Sequence, residues 1–129
     1  MLKFLNRGNT VANNSPAAQP VASAPAKIRT WGDLSPIQEK TLTKHEFSMR
    51  RWAIERVARL LGVTSDQVVI DDLVDIRPRL KRHLESLRYR RESVRSLCDS
   101  VQRIVHDAKE HGWTPSNAEV RAAWEEICQ

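Results

Sequence analysis

RESVRSLCDSVQRIVHDAKE, residues 91–110, is the cleanest amphipathic segment of the chain. Val94, Leu97, Val101, Ile104, Val105 and Ala108 recur at helical spacing, so one apolar stripe runs along a single helix, and Gly112 follows its end as a stop signal. Working back toward the N-terminus, Thr43 to Leu61 repeats the pattern with Phe47, Ile54, Val57, Ala58 and Leu61. Thr43 and Glu46 form a capping box at its start, and Gly62 suits its C-terminal end. A shorter helix is expected from Trp31 to about Lys40, with Thr30 as N-cap, Asp33 in the first turn and a restart at Ser35-Pro36. Between the two long helices, Asp75 is expected to cap a helix running to about Leu87, with Pro78 in its first turn and Ile76, Leu80, Leu84 and Leu87 as its stripe. A last helix is expected to start at Ser116, through a Ser116–Glu119 capping box, and to bury Val120, Trp124 and Ile127. Only Val68-Val69-Ile70 reads as strand, too little for a sheet. The expected fold is all-α, a compact bundle of four to five short helices over residues 30–129.

The remaining residues, 1–29, carry four basic groups (Lys3, Arg7, Lys27, Arg29), no acidic ones, and three prolines in an Ala/Ser/Asn/Gln-rich run. With so little to bury, this segment is expected to be a disordered basic tail or linker. A length of 129 residues fits one ordinary domain. No apolar run approaches the roughly 20 residues of a spanning helix, so no membrane role is expected and the cytoplasm is the default location. Cys98 and Cys128, thirty positions apart without a Cys-x-x-Cys, suggest reduced thiols rather than a zinc site or a disulfide framework. No metal, cofactor or catalytic site is expected. His45, His83, His106 and His111 lack metal-binding spacing, the four glycines stand alone, and no serine sits in a nucleophile elbow.

Charge is the informative property. The net charge is +5, yet its distribution is blocked: residues 66–75 carry four acids and no base, residues 77–95 carry eight bases against Glu85 and Glu92, and residues 107–129 carry two bases against five acids. A central block of net +6 suits a polyanion, because helix N-termini and arginines both receive phosphate and arginine reads guanine with paired hydrogen bonds. The candidates around the start of the 91–110 helix are Arg90, Arg91, Ser93, Arg95, Ser96 and Arg103. A second basic surface on the 43–61 helix comprises Lys44, Arg50, Arg51, Arg56 and Arg59; of these Lys44, Arg51 and Arg59, with Ser48, fall opposite the buried stripe and are the candidates there. The alternative is that these arginines are ordinary solvated residues paired with nearby acids. Trp31, Trp52, Trp113 and Trp124 read as packing residues rather than base-stacking platforms.

Three ordered stretches carry a family resemblance: Arg56-Val57-Ala58-Arg59-Leu60-Leu61-Gly62, Asp75-Ile76-Arg77-Pro78-Arg79-Leu80, and Glu92-Ser93-Val94-Arg95-Ser96-Leu97 continuing to Ala108-Lys109-Glu110-His111-Gly112-Trp113-Thr114-Pro115-Ser116. In this order they resemble the SAM-like core-binding domain of tyrosine recombinases of the phage-integrase type, over about Trp31 to Ile127. The resemblance implies a helical domain that grips one side of double-stranded DNA in site-specific integration or recombination, with the 43–61 and 91–110 helices facing the duplex. It further implies partnership with a recombinase catalytic domain or other protomers, and a place on the nucleoid. Arg90-Arg91 stands where relatives commonly carry a Ser or Thr cap followed by Pro. The catalytic tyrosine, arginines and His-x-x-Arg of the family belong to a separate domain; here Tyr89 is the single tyrosine and no His-x-x-Arg occurs, so strand cleavage is not expected. A fragment, a truncated reading frame and a stand-alone module all fit that pattern. The rival expectation is a helical protein–protein interaction module with no DNA role, assembling through its oppositely charged blocks.

Overall fold

The computed structural model describes residues 28–129, and the expected disordered tail lies outside them except for Ile28 and Arg29. Ile28 belongs to the core: it is buried, and the following backbone joins the fold through a hydrogen bond from Ile70 N–H to Arg29 C=O and one from Trp31 N–H to Val68 C=O. Six α-helices follow in order: α1 (Trp31–Thr41), α2 (Lys44–Leu61), α3 (Ile70–Leu73), α4 (Arg77–Ser86), α5 (Arg91–Glu110) and α6 (Ala118–Ile127). A 3-10 turn, Ser65–Gln67, joins α2 to α3. The fold is all-α. Among the described residues the sole β pairing is an isolated antiparallel bridge between Thr30 and Val69, and Ile70, expected to extend a strand, instead opens the one-turn α3.

Local chemistry sets most helix limits. Thr30 and Thr43 each accept from the backbone N–H three residues on, while Asp33 and Glu46 reach back to the cap N–H, so both expected capping boxes are formed. The α1 helix runs through Pro36 without restarting. Three helices end in Schellman motifs whose left-handed residues are Gly62, Arg88 and Gly112, at φ of 74°, 65° and 110°. The glycines take this conformation freely; Arg88 takes it against the preference of a residue with a Cβ.

The α4 helix begins differently from expectation. Asp75 does not cap it: Ile76 holds the N-cap position with no side-chain hydrogen bond, and its side chain goes into the core. The last helix also corrects its expected cap. The Ser116 hydroxyl donates to Asp71 across the fold, and Asn117 caps α6 by accepting from Val120 N–H at 2.9 Å. Two expected stripe residues lie past the reach of the core: Leu87 is 55% exposed and Ile127 37%.

The core forms where α5 packs along α2 and α4, burying Ile54, Val57, Leu80, Leu84, Leu97 and Ile104. Arg50 on α2 meets Asp107 on α5, and Arg56 meets Tyr89 just ahead of α5, so these two long helices run antiparallel. The α1 helix covers the 3-10 turn so closely that a Cβ on Gly32 would stand 3.0 Å from the carbonyl oxygen of Asp66. Trp113, after α5, is buried, donates its indole N–H to Asp71 at 2.8 Å and meets Trp124 edge to face at 5.8 Å.

The capping box of α2 leaves a titration signature. The backbone N–H of Thr43, followed by its hydroxyl, holds the Glu46 carboxyl below its ordinary value of 4.5. A depressed folded-state value means that the cap's contribution is complete above the ordinary range and is lost as pH falls through the depressed value. Carboxyl titration by NMR should therefore find Glu46 below its ordinary value, and Thr43→Val, which removes the hydroxyl and keeps the backbone donor, should raise it part of the way back. An unshifted Glu46 in the parent protein would rule out the box in solution.

Candidate nucleic-acid interface

The central basic block gathers on the seam between α4 and α5. Arg77, Lys81 and Glu85, spaced one turn apart on α4, face Arg91, Arg95 and Cys98, spaced one turn apart on α5, across a cleft of about 340 Å³. Four cations against one carboxylate give the cleft lining a net charge of +3. Among the described residues, Lys81, Arg91 and Arg95 form no ion pair; Arg77 donates to Asp99 Oδ1 at 3.0 Å and to Gln102 Oε1 at 3.3 Å. Both members of the Arg77–Asp99 pair are about half exposed, a setting in which such a pair contributes only about 0 to 1 kcal/mol. Arg91 opens α5, and the N-cap Arg90 supplies no side-chain acceptor, so the first-turn N–H groups are left without a side-chain cap beside the cleft. Burial pushes the Cys98 thiol up from its ordinary value, against the pull of nearby Arg77, so it stays protonated. It lines the cleft as a buried residue, and both cysteines are free.

The other candidates are distributed around the bundle. Arg90 and Ser96 are exposed and Ser93 is half-buried at the start of α5. Arg103 lies farther along that helix beside a wide hollow it shares with Asp99, Gln102, His106 and Asp107, where acids dilute its charge. Lys44, Ser48 and Arg59 are exposed along the outer side of α2. Arg51 turns toward α1 and the 3-10 turn, sharing a small recess with Glu55 and Asp66, and its guanidinium stands 5.9 Å from the centre of the Phe47 ring. Arg51 and Arg95 therefore line different clefts.

Two residues of the expected α2 basic surface are engaged internally. Arg50 is only 7% exposed and its Nε donates to Asp107 Oδ2 at 3.1 Å, the same oxygen that receives Gln38 Nε2 at 2.6 Å. Arg56 donates Nε to the Tyr89 hydroxyl at 3.0 Å, pairs with Glu55 and lies 5.2 Å from the centre of the Trp52 ring. Conversely, Arg77 and Lys81 belong to the cleft although sequence reading placed them only in the charge block. Their signal was the spacing Arg77, Lys81, Glu85, a four-residue repeat on one side of a helix.

These features define an all-α helical domain with a cationic interhelical cleft. No protein-family model, curated protein or solved structure matches the chain. No described helix is long and apolar enough to cross a membrane, and among the described residues no cluster of metal-ligating side chains occurs.

Proposed function

We propose that this domain binds double-stranded DNA in the manner of a recombinase core-binding domain, holding and positioning a duplex for integration or recombination without cutting it. The observation that carries the reading is the α4–α5 cleft, where Lys81, Arg91 and Arg95, which form no ion pair among the described residues, converge beside a helix start without a side-chain cap. Cations held on two rigid helices offer phosphate a preset site, and backbone N–H groups at the start of α5 add to it. Lys44, Ser48 and Arg59 are exposed on α2 and are the candidates there for additional phosphate contacts. In this reading the domain works on nucleoid DNA, with recombinase protomers or a catalytic domain as protein partners.

Fluorescence anisotropy with a labelled duplex tests this directly. With about five phosphates neutralised, log affinity should fall against log salt with a slope of about −4 to −5. Arg91→Glu with Arg95→Glu should weaken binding by at least about tenfold while helicity by circular dichroism is unchanged. Absence of duplex binding at low salt, or equal binding by the double variant, would overturn the assignment of this cleft.

A second reading, protein–protein assembly, has its own support in an apolar groove of about 250 Å³ lined by Leu73, Val74, Val101, Val105, Trp124 and Ile127. Light scattering that detects assembly without DNA favours that reading.

A further inference from the structure

We infer that Asp99 is a built-in competitor of phosphate for Arg77, and that it holds down the affinity of the α4–α5 cleft for polyanions. This rests on the DNA-binding reading for its physiological ligand, but the contact itself is a property of the two helices. Of the four cations lining the cleft, Arg77 is the one whose side chain is engaged among the described residues: Asp99 takes Nη2 and Gln102 takes Nη1, both from α5. Asp99 stands one turn beyond Arg95 on that helix and lines the adjoining hollow with Gln102 and Arg103, so it holds Arg77 from just outside the cleft lining. An exposed carboxylate there acts twice. It accepts from Nη2, a donor that a phosphate oxygen would otherwise engage, and it repels the phosphate by like charge.

Because the pair is solvent-exposed on both sides, exchanging carboxylate for phosphate costs little, and the contact lowers affinity without closing the cleft. Gln102, neutral and adjacent, remains to orient the released guanidinium from its other nitrogen. The arrangement makes Arg77 a conditional cation, contributing once Asp99 is displaced, whereas Lys81, Arg91 and Arg95 are available from the outset.

A mutant cycle separates competition for Arg77 from a simple charge effect. Duplex affinity at low salt is measured for the parent, Asp99→Ala, Arg77→Gln and the double variant. Competition predicts that Asp99→Ala tightens binding by about three- to tenfold in the parent background and by less than about twofold when Arg77 is already glutamine. An unchanged or weaker Asp99→Ala variant overturns the inference. So does an equal gain in both backgrounds, since that would be repulsion alone. Should the parent bind no duplex, the DNA reading falls, and the same cycle is read with inorganic polyphosphate. A background-dependent gain there sustains the competition, and four equal affinities or no binding overturn it.

Discussion

Replacing Asp107 by alanine should cost the domain about 3 to 5 kcal/mol, the range for leaving a buried charge without its partner. Asp107 Oδ2 is shared by Arg50 Nε and Gln38 Nε2, so one carboxylate oxygen ties α1 and α2 to α5. Arg50 cannot swing out to water without opening the seam between α2 and α5, because its side chain is 8% exposed. Urea unfolding should show the loss as a lower midpoint with an unchanged slope. Asp107→Asn, which keeps one acceptor oxygen, should lose less than the alanine variant. Replacing Arg50 by methionine and Asp107 by leucine together should recover only part of the loss, because both charges are then gone but the buried Gln38 amide is left without its acceptor. A loss below about 1 kcal/mol in Asp107→Ala would mean that Arg50 is solvated in solution and that the three-helix tie does not exist.

Trp113→Ala should have an effect of the same size, about 3 to 5 kcal/mol, through lost burial and the cavity left behind. The ring is 1% exposed, meets Trp124 edge-on, and its N–H ends on Asp71. In a domain of this size the loss should lower the melting temperature by more than about 12 °C. Trp113→Phe separates the two contributions: it keeps most of the ring volume and gives up the hydrogen bond, so it should cost only about 1 to 2 kcal/mol. If the phenylalanine variant is as unstable as the alanine one, the link to Asp71 rather than ring packing holds the α5–α6 connection.

The sequence spelled out those features whose chemistry is local. Thr30 with Asp33, Thr43 with Glu46, and the glycines at 62 and 112 operate within four residues of themselves, so α1, α2 and α5 were legible together with most of their ends. What escaped depends on residues far apart in the chain. Ser116 has the spacing for a capping box, but its hydroxyl is drawn to Asp71, and Asn117 caps the helix in its place. Arg50 sits at the edge of the apolar stripe of α2, and its burial depends on a carboxylate 57 positions away. Leu87 and Ile127 continue their stripes correctly but stay partly open to solvent, Leu87 just past the end of α4 and Ile127 in the groove it lines with α3 and α5. The candidate site divides the same way. The charge block from Arg77 to Arg95 was plain, whereas its gathering of Arg77 and Lys81 opposite Arg91 and Arg95 follows only from α4 and α5 lying side by side. Arg51 and Arg95 line different clefts, Arg51 sharing its recess with Glu55 of α2 and Asp66 of the 3-10 turn.

The left-handed Arg88 bears on how such a cleft meets a ligand. Its motif hydrogen-bonds Arg88 N–H to Glu85 C=O at 3.0 Å and Tyr89 N–H to Leu84 C=O at 3.1 Å, and the Tyr89 hydroxyl is anchored by Arg56. The elbow between the two walls is thereby locked by main-chain bonds, and the separation of the guanidinium rows is a gauge cut into the backbone. A molecule that enters meets two walls set at that gauge, and the side chains that stand on them are what adjusts to it.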